Sequence, residues 1–220
     1  MAASAAVSGD TAGAFVRERA AFVATIAALG PEAPTLCGPW TCEDLAAHYI
    51  SGERLAGVPT YVGRAVVHRG IRLGDRLAAQ ADRIVRVNRR KGFDWIVHRL
   101  RQPPPSLLAR GSVAVMSLLE SWIHHEDLRR ANELGRRPDE PDLAPCIDWA
   151  LRYHRSLLRD VGLRVSFDGE RRSVGPSTPS ITVAGPPGEV LLWLAGRPAA
   201  AGVEVGGDPE AITPMPRLRF

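Results

Sequence analysis

A helical pattern runs through residues 112–131, whose sequence is SVAVMSLLESWIHHEDLRRA. Apolar side chains recur there at the spacing of an α-helix, and Glu120 and His124 fall within the same arc. Residues four positions apart lie one above the other on a helix, so this carboxylate and this imidazole would point to one place. Both groups bind metals in proteins. The pattern therefore predicts a largely buried helix that carries part of a metal site.

Two explanations fit a carboxylate in an apolar arc, because a buried carboxylate needs a partner. Glu120 could form a salt bridge with an arginine while His124 bonds to a carbonyl group, or both could bind a metal ion. The best candidate for a third ligand is His48, on the apolar side of another predicted helix. Three protein ligands leave one position open, as in catalytic sites. Two imidazoles and one carboxylate favour zinc, with iron, nickel or manganese as alternatives.

The residues that follow His124 rotate away from the face of Glu120. We expect His125 at an interface or a helix edge, and Glu126 on the surface. Asp127 could accept a hydrogen bond from a ligating imidazole, since such rings usually donate their second N–H to a carboxylate or a carbonyl. The roles of these three residues are thus predicted to differ from that of His124.

The first two thirds of the chain have helical periodicity. One predicted helix ends at Gly30 and Pro31, and Thr41 with Asp44 forms a capping-box pattern that begins a second helix, which runs to about Ala56. Residues 57–70 are predicted to form a loop. Further helices are predicted over residues 73–90, 93–100, 112–131 and 148–161. Four or more amphipathic helices indicate a bundle, whose interior can hold a metal.

The pattern changes near Gly162. Residues 163–167, 180–183 and 203–205 are typical of strands, and residues 190–195 of a short helix. We therefore predict an α+β chain. It would have a flexible tail at residues 1–11, a helical bundle over residues 12–161 and a small α+β domain over residues 162–220.

The composition is typical of a soluble globular protein, and we expect it in the cytoplasm for two reasons. No apolar run reaches the roughly 18–20 residues that a membrane span requires, and the first residues lack the pattern of a signal peptide. The three cysteines, Cys37, Cys42 and Cys146, match neither a disulfide framework nor a common zinc spacing, so we interpret them as structural. The net charge of +4 includes a basic run at residues 83–91. A solvated helix face is favoured there over a surface for small anions, and nucleic acid is least favoured because no aromatic residues interleave the run.

Two stretches resemble the motifs of one protein family. Residues 36–48, LCGPWTCEDLAAH, and residues 120–130, ESWIHHEDLRR, resemble the metal-binding motifs of mycothiol-dependent maleylpyruvate isomerase-like proteins, which belong to the DinB-like superfamily. Residues 191–197, LLWLAGR, and 203–208, VEVGGD, resemble the small sterol-carrier-like domain of that family. The resemblance is closest to a subgroup described only as metal-binding proteins.

The resemblance implies a DinB-like bundle with a divalent metal, zinc first, on His48, Glu120 and His124, followed by a sterol-carrier-like domain. It implies an enzyme in which the thiolate of mycothiol attacks a small electrophile, by S-transfer or by cis–trans isomerisation. Arg197 resembles a catalytic arginine of that domain, although a cation near a helix C-terminus is the alternative interpretation. A non-catalytic protein that binds a metal or a small ligand is the alternative function. The resemblance also allows a homodimer.

Overall fold

The computed structural model of the protein describes residues 3–53, 83, 85–135, 137, 140–155, 158, 160–178 and 180–208. The chain divides into two compact units, Met1–Arg136 and Arg137–Phe220. The first unit is helical in its described part, and the second combines helices with a four-stranded sheet. This confirms the α+β class. The division between the units falls upstream of the boundary that the sequence pattern predicts at residues 161 and 162.

Helix α1 spans Ala3–Leu29. It ends where the sequence predicts, because Gly30 adopts a positive φ of 82° and its amide donates to the carbonyl of Ile26 at 3.1 Å, which closes the last turn. The helix begins at Ala3 and so includes most of residues 1–11, which are predicted as a flexible tail. Its buried side chains include Phe15, Phe22 and Ile26.

Helix α2 spans Cys42–Glu53, and the predicted capping box lies at its start. The amide of Thr41 donates to Asp44 Oδ2 at 3.1 Å, and the Asp44 amide lies 3.5 Å from Thr41 Oγ1. These two contacts satisfy amides that the first turn would otherwise leave without partners. The predicted helix end at Ala56 and the predicted loop at residues 57–70 lie outside the described residues.

The described part of the basic run is helical at residues 85–89. Arg89 is exposed and pairs with two acidic residues in the first turn of α2, with its Nη1 2.7 Å from Asp44 Oδ1 and its Nε 3.2 Å from Glu43 Oε2. These contacts fit the interpretation of a solvated helix face. Most of the predicted helix over residues 73–90 lies outside the described residues.

Helix α3 spans Phe93–Leu100, and α4 spans Gly111–Ala131 after a short 3-10 helix at Ser106–Ala109. The helices predicted over residues 93–100 and 112–131 are thereby confirmed. Helix α4 packs along α1, and all of residues 117–128 are buried. The central helix of the first unit therefore carries its acidic and histidine residues within the protein interior.

The second unit contains α5 at Ala144–Tyr153, β1 at Leu163–Phe167, β2 at Glu170–Val174, β3 at Ile181–Ala184, α6 at Pro187–Leu194 and β4 at Glu204–Gly207. The strand order is β2-β1-β3-β4, with β1 and β3 parallel and the outer pairs antiparallel. Helix α6 packs against α5 and β1. The predicted strands are confirmed. Strand β2 was missed because its charged, mostly exposed residues do not alternate with apolar ones.

None of the helices in the described part of the chain has the length and hydropathy of a bilayer-spanning segment.

We predict that Thr41→Ala lowers the free energy of unfolding by about 1 kcal/mol, because the first turn of α2 loses its side-chain cap. Thr41→Ser keeps the hydroxyl group and should retain most of the stability. Urea denaturation followed by far-ultraviolet circular dichroism measures the difference. Equal stability of the two variants would show that the capping box does not stabilise α2.

Candidate metal centre

The structure brings together the three predicted ligands within the first unit. His48 lies in the middle of α2, and Glu120 and His124 lie one turn apart on α4. Each offers one ligand atom, and the three atoms lie within 4.8 Å of one another. The distance from His48 Nε2 to Glu120 Oε1 is 3.9 Å. Two imidazoles and one carboxylate at this separation fit a divalent first-row ion after a small contraction.

Neighbouring side chains fix the orientation of these residues. The ring of Trp40 packs against that of His48 with centroids 5.0 Å apart, and the rings of His48 and His124 meet edge to face at 5.3 Å. Gly52 lies beside the carboxylate, since a Cβ atom there would be 3.3 Å from Glu120 Oε1. The absence of a side chain at Gly52 therefore lets α2 approach Glu120 closely.

A second set of contacts holds the other edge of the His124 ring. Its Nδ1 lies 3.2 Å from Asp127 Oδ2, the hydrogen bond that the sequence predicts for a carboxylate beside a ligating imidazole. The Cys37 thiol donates to the same Asp127 oxygen at 3.1 Å and lies 3.7 Å from His124 Nδ1. Sequence reasoning missed Cys37, which was interpreted as structural. Nothing in the local pattern indicates that a loop residue contacts a side chain some 90 positions later.

The loop between α1 and α2 is tied to α4. The Leu36 amide donates to the Asp127 carbonyl at 3.0 Å, and the Asn132 side chain donates to the Pro34 carbonyl at 2.9 Å. Within the loop, the Cys37 amide donates to Thr35 Oγ1 at 3.1 Å. These bonds set the position of the Cys37 thiol beside His124.

The pKa of His124 reflects these partners. Burial alone would lower it, but the hydrogen bonds with Asp127 and Cys37 outweigh burial and raise the pKa to about 9. The metal-free site therefore holds a proton on this ring near neutral pH. A metal ion that used His124 would have to displace that proton, so its affinity should increase with pH.

Negative charge accumulates near Glu120. Glu53, one residue after Gly52, forms an ion pair with Arg19, whose Nη2 donates to Glu53 Oε2 at 2.8 Å. Burial raises the pKa of Glu53 above its ordinary value although Arg19 lowers it, and the charge of Glu120 adds to the rise. Burial also raises the pKa of Tyr49, whose hydroxyl lies 2.6 Å from Ser121 Oγ. A cation at Glu120 would offset the repulsion between the two carboxylates.

His125 and Glu126, which follow His124 on α4, are both buried. His125 lies between α4 and α1, with Nδ1 2.7 Å from Glu18 Oε1 and Nε2 2.9 Å from Thr25 Oγ1, which fits the predicted interface position. Glu126 is only 2% exposed and accepts a hydrogen bond from Arg130 Nε at 2.9 Å. The prediction of a surface position for Glu126 was wrong, because its helix is covered by protein over residues 117–128.

Arg197 lies in the second unit, three residues after the end of α6. It is buried, and its Nη1 donates to the Ala195 carbonyl at 2.6 Å. This contact is typical of a cation near a helix C-terminus. A catalytic role for Arg197 stays a prediction.

Comparison with solved structures identifies the fold. A crystal structure of the mycothiol-dependent maleylpyruvate isomerase aligns with 96% of this chain and 97% of its own, at a TM-score of 0.60 and 15% sequence identity. A mutant of that enzyme aligns over the same shares with a TM-score of 0.56 and 14% identity. Comparison with protein-family models finds no match, and neither does comparison with curated proteins. At this identity, the likeness shows a shared fold.

We predict that the His124 ring of the metal-free protein titrates with a pKa of about 9. Because this folded value exceeds the unfolded value of about 6.5, its contribution to stability is full below pH ~6.5 and is lost as the pH rises through about 9. Asp127→Asn should lower the pKa and flatten this dependence, whereas Asp94→Asn, at an exposed position of α3, should change neither. NMR titration of the ring and urea denaturation at several pH values measure both effects. An unchanged His124 pKa in Asp127→Asn would contradict the prediction.

We also predict that His48→Ala, Glu120→Gln and His124→Ala each lose most of the bound metal, because each removes one of three protein ligands. His98→Ala, at an exposed position of α3, is the matched control and should keep it. Elemental analysis of the purified proteins measures occupancy, and circular dichroism verifies folding. Full occupancy in all three variants would exclude this site.

Proposed function

We propose that this protein is a divalent-metal-dependent enzyme that uses a low-molecular-weight thiol, mycothiol, as its cosubstrate. The observation that carries the proposal is the convergence of His48, Glu120 and His124 in the helical unit. The fold adds support, since it is shared over nearly the whole chain with a mycothiol-dependent isomerase. On this basis we assign the first unit to the DinB-like bundles and the second to the sterol-carrier-like domains.

The ligand set suits a catalytic metal, with zinc favoured. An ion held by these three side chains would leave one position open and would lower the pKa of a thiol bound there. The residues of this chain provide the geometry. Asp127 orients the His124 ring, Trp40 packs on the His48 ring, and Gly52 leaves room for the Glu120 carboxylate. Burial of all three ligands limits competition from water.

The reaction class follows from thiol chemistry. A thiolate adds to an electrophilic carbon of the substrate and forms a carbon–sulfur bond. If another group leaves, the result is S-transfer. If the adduct of a conjugated alkene rotates about the former double bond and expels the thiol, the result is cis–trans isomerisation. Both outcomes need the same thiol site, so the proposal covers an S-transferase and an isomerase.

Arg197 is our candidate for binding a carboxylate of the substrate or of the thiol. Its planar guanidinium suits bidentate contacts with carboxylates. In the structure its Nη1 donates to the Ala195 carbonyl.

We expect turnover of maleylpyruvate or of a chlorinated aromatic only when mycothiol is added, because the thiol supplies the nucleophile. Glu120→Gln should lose most of this turnover together with its metal, and His98→Ala should keep both. Assays that are quenched at fixed times and followed by product analysis measure turnover, and calorimetry measures the binding of mycothiol. A metal-loaded protein that neither binds mycothiol nor turns over these electrophiles would favour the non-catalytic alternative.

A further inference from the structure

We infer that Cys37, His124 and Asp127 form a second cation site, selective for thiophilic ions, which shares His124 with the first site and is filled only in its place. This inference goes beyond the proposed function, since it does not require a thiol cosubstrate or catalysis. It rests on the distances among three ligand atoms and on the chemistry of those atoms.

The three atoms already lie near the separations of a closed site. They are a thiol sulfur, an imidazole nitrogen and a carboxylate oxygen, and the pairwise distances are 3.1, 3.2 and 3.7 Å. With ordinary zinc bond lengths, the edges of a tetrahedron of these ligands measure about 3.4–3.6 Å. The contact between Cys37 and Asp127 must lengthen by about half an ångström, and the contact between His124 and Asp127 by about 0.2 Å. In the first site, the His48–Glu120 distance of 3.9 Å is already longer than these edges.

The ligands of the second site differ in their exposure to solvent. Cys37 is partly exposed, whereas the side chain of Asp127 is fully buried. The bond from the Leu36 amide to the Asp127 carbonyl holds the loop at this point. Of the three ligands, Cys37 therefore has the most contact with solvent.

Sharing of His124 makes the two sites exclusive. A neutral imidazole has a single lone pair, so it ligates one ion at a time. The thiol makes the second site prefer soft ions such as Cd²⁺ or Cu⁺, and the set of His48 and Glu120 prefers harder ions. Ligation would release the thiol proton and the imidazolium proton to solvent, with no change of oxidation state.

Cadmium alone is the appropriate probe, added to the metal-free full-length protein. We expect a thiolate-to-cadmium charge-transfer band in the ultraviolet and one tightly bound ion per chain. The band should be lost in Cys37→Ser and in His124→Ala. It should persist in Glu120→Gln, which removes only the first site, so the two proposals can fail separately. Cys42→Ser and Cys146→Ser are matched controls, because burial raises the pKa of both thiols, and they should keep the band.

A second measurement needs no variant. Cadmium at one equivalent should protect Cys37 of the wild-type chain from alkylation by iodoacetamide, as read by peptide mass spectrometry. The inference is overturned if the band is absent, if it persists in folded Cys37→Ser, or if Cys37 reacts at the same rate with and without cadmium. Two ions bound at once, both lost in His124→Ala, would overturn the sharing.

Discussion

The first unit depends on the burial of ionisable side chains along one helix. Within eight consecutive positions of α4, five such residues are buried: Glu120, His124, His125, Glu126 and Asp127. Buried charges cost several kcal/mol unless they are paired and hydrogen-bonded. Their partners come from different parts of the chain: Glu18 of α1, His48 of α2, Cys37 of the loop and Arg130 of α4 itself. The packing of α1 and α2 around α4 is thus constrained by polar pairing as well as by apolar contact.

Sequence reasoning predicted what depends on local periodicity. The span of α4, the end of α1 at Gly30 and the Thr41–Asp44 cap are each determined by residues a few positions apart, so the pattern contains the answer. The pattern made His48 the best candidate for a third ligand, but spacing alone could not show that it meets Glu120, and the family resemblance strengthened that expectation. The burial of Glu126 and the contact of Cys37 with Asp127 were not predicted, because exposure and long-range contact depend on tertiary packing. Strand β2 was missed because charged residues of an edge strand carry little periodic signal.

The carboxylates around His124 can be balanced by either of two positive charges, a proton on the ring or a bound metal ion. Without metal, a proton on the ring balances the Asp127 carboxylate, and Arg19 forms an ion pair with Glu53. With a divalent ion, the positive charge lies among the ligands instead. Proton and metal therefore compensate the same group of carboxylates, which explains how an acidic cluster can remain buried in the absence of a cation.

Asp127 contacts both the loop that precedes α2 and the ring of His124. Its backbone carbonyl accepts the amide of Leu36, and its side chain accepts from Cys37 and contacts His124. The loop and the imidazole therefore both contact Asp127. A displacement of the loop, caused by a ligand or by a change in the chain around Trp40, would therefore reach the His124 ring through Asp127.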